Sequence, residues 1–155
     1  MGREIRRVPA DWDHPKDSAG RYRPLYDKAY SVACAEWKAE FASWEAGTHP
    51  DLPLDSGPRE FWDWDGGPPD RDSYRDREWT AEEATHFQLY ETVSEGTPMT
   101  PPMPSRDALR AHLVERGDFW GRPWGAQAAD RIVRSGWAPS LVIADGHALR
   151  PEDDE

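Results

Sequence analysis

The most distinctive chemistry in the sequence lies in the run Phe61-Trp62-Asp63-Trp64-Asp65-Gly66-Gly67-Pro68-Pro69-Asp70. If the run is extended, successive side chains alternate, so Trp62 and Trp64 point to one side and Asp63 and Asp65 to the other. Paired glycines and prolines then force a turn. Indole rings supply anchoring area and carboxylates meet Arg or Lys. Trp62, Asp63, Trp64, Asp65 and Asp70 are therefore the candidate residues for gripping a basic protein partner. The same rings suit stacking on a nucleobase, and in a chain poor in aliphatic side chains they also suit the lid of a core.

Other groups offer less. Asp11, Asp13 and His14 form a tight acid and imidazole cluster, and Asp63 with Asp65 a second carboxylate pair. Either set has the atom types for a divalent cation or for acid and base work, but neither has a ligand spacing that marks a metal site. Arg6 and Arg7 are the candidates for meeting phosphates of a small nucleotide, within a wider set of Arg3, Arg21 and Arg23. Cys34 lies between two alanines on an aromatic stripe, where a thiol is usually an inert small hydrophobe. His49, His86, His112 and His147 are scattered. The sequence contains no phosphate loop, dinucleotide fingerprint, zinc-protease helix, paired-cysteine site or calcium loop, so no catalytic residue, metal ligand or cofactor is assigned.

These groups need a scaffold. Tyr26, Tyr30, Ala33, Cys34, Trp37, Phe41 and Trp44 recur at spacings of three and four, which predicts a helix over Leu25 to Ala46 closed by Gly47. Prolines at 50, 53, 58, 68 and 69 make residues 48–79 a long irregular crossing rich in Pro and Trp. Thr80 and Glu83 read as a capping box that opens a second helix through Phe87, Tyr90 and Glu91, ended by Gly96 and Pro98. Ser105 caps a third, with Leu109 and Leu113 inward and Gly117 as its stop. A fourth runs from about Ala126 to Ser135, with Ala129, Ile132 and Val133 inward. The aliphatic run Ser140 to Ala144, then Asp145-Gly146 and His147 to Arg150, predicts a hairpin that also pairs with Glu4 to Val8. The expected fold is α+β, about four helices packed on a small C-terminal antiparallel sheet, as one domain over residues 1–151 with an acidic tail at 152–155.

The 155 residues carry a net charge of −11, and Ile, Leu, Val and Phe are scarce, a pairing that usually warns of disorder. Nine Trp and five Tyr answer the warning, because rings replace methyls in the core. Residues 48–104 hold 4 basic and 13 acidic side chains, so the acidity is local. A negative surface repels phosphates and anionic lipid, which argues against direct nucleic-acid binding and a membrane role. The N-terminus lacks an apolar signal segment and there is a single Cys, so the expected location is cytoplasmic.

Gly2 to Pro9 with Asp11-Trp12 and His14-Pro15, the Phe61 to Asp70 run, Tyr90 to Pro98, Gly117 to Trp120 and Gly136 to Ser140 together resemble a family of small bacteriophage and prophage proteins of unassigned function. The resemblance spans nearly the whole chain and transfers no catalytic residue. It implies a phage origin and a bacterial host cell. A motif-poor acidic chain of that kind suits binding better than catalysis. The leading expectation is an accessory protein that antagonises a host antiviral defence by docking a host protein with its acidic and aromatic surface. Two alternatives are an oligomeric sponge that sequesters a nucleotide immune signal and a small metal-dependent hydrolase.

Overall fold

Strand β1 (Gly2–Val8) is the spine of a four-stranded antiparallel sheet. Its partners are β2 (His86–Glu91) and β4 (Trp137–Pro139), and β3 (Thr97–Pro98) adds to the far side of β2. The register sets Ile5 opposite Leu89, Glu4 opposite Tyr90 and Arg3 opposite Glu91. This computed structural model describes residues 2–55, 57, 60–93, 95–139, 142–144 and 147–149. The chain forms two compact units, residues 1–24 with 79–155 and residues 25–78, where the sequence suggests one domain.

In the first unit the sheet has two unlike faces because side chains alternate along each strand. One face, with Ile5, Phe87 and Leu89, packs against α3 (Arg106–Glu115) and α4 (Ala126–Ser135). Leu89, Met99, Leu109, Leu113 and Ile132 are fully buried there, each contributing about 2 kcal/mol of hydrophobic stabilisation. The Ser105 hydroxyl accepts from Ala108 N–H at 3.0 Å, and Gly136 ends α4 at φ +78°, as the capping pattern implies. The opposite face carries Glu4, Arg6, Gln88 and Tyr90.

Two expectations change here. The capping box at Thr80 forms, with Thr80 N–H donating to the Glu83 carboxylate at 2.9 Å and Glu83 N–H donating to the Thr80 hydroxyl at 3.2 Å. It closes one turn and then gives way to strand β2. Phe87 and Leu89 alternate with Gln88 and Tyr90 against β1, and that period of two wins over the local helical spacing. The main sheet is also not C-terminal: β1 takes its partners from β2 and β4. The C-terminal hairpin exists as β5 (Val142–Ala144) with β6 (His147–Leu149), a separate two-stranded sheet. Its expected turn residues Asp145 and Gly146, and the tail at 152–155, lie outside the described residues.

In the second unit, α1 (Tyr30–Glu45) starts five residues later than the periodicity implies. Residues 25–29 bond across to the segment after Asp70 instead: Tyr26 N–H donates to the Ser73 carbonyl at 2.9 Å and Arg75 N–H to the Lys28 carbonyl at 3.1 Å. Arg75, buried, holds Asp27 at 2.6 Å and Glu78 at 2.9 Å, and the second Glu78 oxygen accepts from Ala29 N–H at 2.5 Å. The expected irregular crossing contains a short helix, α2 (Phe61–Asp65), and a 3-10 turn at Arg71–Ser73. No helix among the described residues is long and apolar enough to cross a membrane.

Candidate functional site

Helix α2 changes the geometry of the aromatic and acidic run. Residues two apart on a helix lie about 200° apart, so Trp62 and Trp64 face opposite ways, as do Asp63 and Asp65. Trp64 turns inward against Trp44 (ring centroids 5.1 Å apart), His49 (5.0 Å) and Phe61 (6.0 Å). Phe61 is fully buried at the centre of this cluster and Trp44 nearly so. Trp62 stays 55% exposed, its indole edge against Trp37 at 5.7 Å and its ring resting over Gly67. Glycine suits that position, since the backbone at 67 is left-handed at φ +99° and a Cβ there would crowd Trp62 Nε1 at 3.0 Å. Gly66, left-handed at φ +94°, ends the helix with its N–H on the Trp62 carbonyl.

The carboxylates divide by role. Asp65 accepts from Trp37 Nε1 at 2.6 Å, which ties α2 to α1. Asp70 caps the 3-10 turn by accepting from Asp72 N–H at 3.1 Å. Asp63 is exposed in the first turn of α2, where a carboxylate complements the helix dipole. Of the five expected contact residues, the structure leaves Trp62, Asp63 and Asp65 exposed, with the two carboxylates on either side of Trp62, and turns half-buried Trp64 against the aromatic cluster. Trp37, which meets Trp62, is ring-stacked with Phe41 at 5.5 Å on α1. The sequence marks that pair only as a helical stripe. Residues 25–78 hold 6 basic and 13 acidic side chains, so this unit carries −7 of the total −11.

No family model, curated protein or solved structure matches the chain. Its sites are therefore assigned on geometry and chemistry.

Arg6 and Arg7 are not brought together. As neighbours on a strand they point to opposite faces. Arg6 is 5% exposed, donates to Glu4 at 2.6 Å and to the Glu95 carbonyl at 2.8 Å, and lies 4.3 Å over the Tyr90 ring. Arg7 is exposed, donates to the Ala84 carbonyl at 3.1 Å and covers Phe87. Arg3 is buried against Glu91 at 2.9 Å and over Trp124. The structure thus divides Arg3, Arg6 and Arg7 between the two sheet faces, a result of strand alternation that a linear charge count misses.

Under Arg6 runs a buried polar chain that sequence spacing does not reveal. Trp12 Nε1 donates to the Tyr90 hydroxyl at 3.0 Å, and the hydroxyl donates to Gln88 Oε1 at 3.1 Å. Gln88 Nε2 then donates to the Thr100 carbonyl at 2.8 Å. His14 joins with Nδ1 3.1 Å from the Tyr90 hydroxyl and Nε2 2.5 Å from the Arg23 carbonyl. Burial, and secondarily the charges of Arg6 and Arg23, push the His14 imidazole below its ordinary range, against the opposing pull of the Arg23 carbonyl. His14 is therefore a structural tie in this network, while Asp11 and Asp13 stay exposed to solvent. Cys34 is half-buried on α1. Among the described residues, no three His, Cys, Asp or Glu side chains group as a metal-ligand set.

Proposed function

We propose that this chain acts by stoichiometric binding, as a phage accessory protein that docks a basic surface of a host protein and so antagonises an antiviral defence in the host cytoplasm. The observation that carries the reading is Trp62, an indole more than half exposed yet fixed between Trp37 and Gly67, with exposed Asp63 and Asp65 on the same short helix. A fixed aromatic loses little conformational freedom on docking, which is why such side chains dominate interface energetics. The acidity of residues 25–78 supplies long-range attraction to Arg and Lys. A partner face that normally holds phosphates has the matching charge, with carboxylates standing in for them. The phage resemblance supplies the host setting.

The test is capture from host lysate by the tagged protein, compared with Trp62→Ala and Asp63→Ala. The expected result is a retained host protein whose binding weakens as salt rises, about tenfold or more weaker for Trp62→Ala. Retention unaffected by both substitutions rules out this surface. Consumption of a ligand by substoichiometric protein would replace binding with turnover.

A further inference from the structure

A second aromatic surface lies in the other unit, on the turn after α3. Phe119 and Trp120 are 48% and 70% exposed, yet the turn that carries them is tightly held. Phe119 N–H donates to the Met99 carbonyl at 2.8 Å. Asp118, itself buried, accepts from Trp120 N–H at 2.9 Å and from Trp124 Nε1 at 3.3 Å. Gly117 is left-handed at φ +79° and packed so closely that a Cβ would lie 1.9 Å from the Arg122 carbonyl oxygen. Structure invested in holding two rings out in water points to something that meets them.

The neighbouring chain defines its chemistry. Tyr22 stacks on Phe119 with ring planes 13° apart and centroids 5.8 Å apart, and Lys16 Nζ stands 4.9 Å over the Tyr22 ring. Arg21, next to Tyr22 in the chain, is paired with Asp17 and its side chain is highly exposed. Residues 16–23 and 115–122 together carry five basic and three acidic side chains, and one of the acids, Asp118, faces inward. This strip is cationic in a chain that is anionic overall.

We infer that the exposed Phe119 and Trp120 rings, backed by Tyr22 and with Lys16, Arg21 and Arg122 carried on the same two segments, are a binding strip for single-stranded nucleic acid. Open rings beside cations take successive unstacked bases with phosphates alongside, and every base offers a face to stack on. Duplex DNA hides its base faces, and a mononucleotide needs an enclosing cleft where this turn offers a projecting indole. The phosphate candidates Arg6 and Arg7 are therefore replaced by side chains from two loops that only the fold brings together. The strip and the Trp62 surface belong to different units and share no residue, so either assignment survives failure of the other.

The experiment is fluorescence polarisation of a labelled 15-nucleotide oligothymidylate titrated with the full chain, with Trp120→Ala, Phe119→Ala and Lys16→Glu as variants. Trp120 is mostly solvent-exposed, so its truncation leaves the fold intact, and circular dichroism checks this. The expected result is saturable binding that falls with about the second power of salt concentration for three phosphate contacts. Trp120→Ala weakens it about tenfold. Absence of binding at low salt overturns the inference, as does binding indifferent to Trp120 and Phe119. Equal affinity for duplex or for a single nucleotide overturns the assignment to a strand, and binding only of a protein makes the turn a protein contact.

Discussion

The Nδ1 atom of His14 lies 3.1 Å from the Tyr90 hydroxyl, on a sheet face where both residues are almost entirely buried. The Arg23 carbonyl only accepts, so Nε2 carries the proton in the neutral ring, and Nδ1 is an acceptor that shares the single Tyr90 hydroxyl proton with Gln88 Oε1. Protonation must then place a charge in a site that also holds the Arg6 guanidinium.

This relationship predicts a pH dependence of stability. The folded state holds His14 below the ordinary value of about 6.5, so the unfolded chain binds the proton more readily. The contribution is complete above about pH 6.5 and is lost as pH falls from there toward the folded value. His112 is shifted the same way by burial and by Arg116 and adds to the slope. Thermal melts between pH 8 and 5 should show Tm falling on the acid side, less steeply in His14→Gln. An equal slope in that variant would assign the dependence to other groups.

How much of the fold was legible in the sequence depends on whether the deciding signal was local. The third and fourth predicted helices are legible, because Ser105, Gly117 and Gly136 mark their ends by their own backbone chemistry. The segment after Thr80 is not. Its capping box is real, but pairing with β1 makes residues 86–91 a strand, and no window of the sequence contains that partner. Likewise Trp62-Asp63-Trp64-Asp65 fits strand alternation and a helical turn equally. The choice falls to helix because Phe61 and Trp64 both find room beside Trp44 and His49. The arginines at 6 and 7 and the rings at 22 and 119 make the same point from both sides: strand alternation parts one pair and the fold joins the other.

The two tryptophans of α2 should behave oppositely. Trp64 packs against three rings, and Trp64→Ala should cost about 3 kcal/mol of unfolding free energy by the usual cost of emptying an aromatic site. Trp62→Ala should cost less than about 1 kcal/mol, since most of its indole stays in water, while weakening capture of the partner. Urea denaturation of the pair measures this difference. Similar losses for both would mean that Trp62 is core.

Gly96 guards Arg6. A Cβ there would lie 2.2 Å from Arg6 Nη2, which donates to the neighbouring Glu95 carbonyl, and the backbone has φ +130°. Gly96→Ala must both adopt a backbone that side chains rarely take and displace a buried guanidinium, at a cost of about 2 kcal/mol. Coupling is the sharper readout: in Arg6→Met the collision is relieved, so Gly96→Ala should cost less there than in the parent. Additive losses would place the strain in the backbone alone.

Gly117 governs the exposed aromatic turn. Any side chain at this position meets backbone, the Arg122 carbonyl, which cannot rotate away as a flexible side chain does. Gly117→Ala should therefore shift the whole Asp118 to Trp124 segment, loosen the Asp118 bonds to Trp120 and Trp124, and cost on the order of 3 kcal/mol. Asp118→Asn tests the same clamp more gently, because an amide oxygen still accepts one of the two bonds while the charge assisting them is gone. The expected order of melting temperatures is parent, then Asp118→Asn, then Gly117→Ala, with Trp120→Ala close to the parent. If Trp120→Ala proves as damaging as Gly117→Ala, that indole holds the turn instead of being held by it.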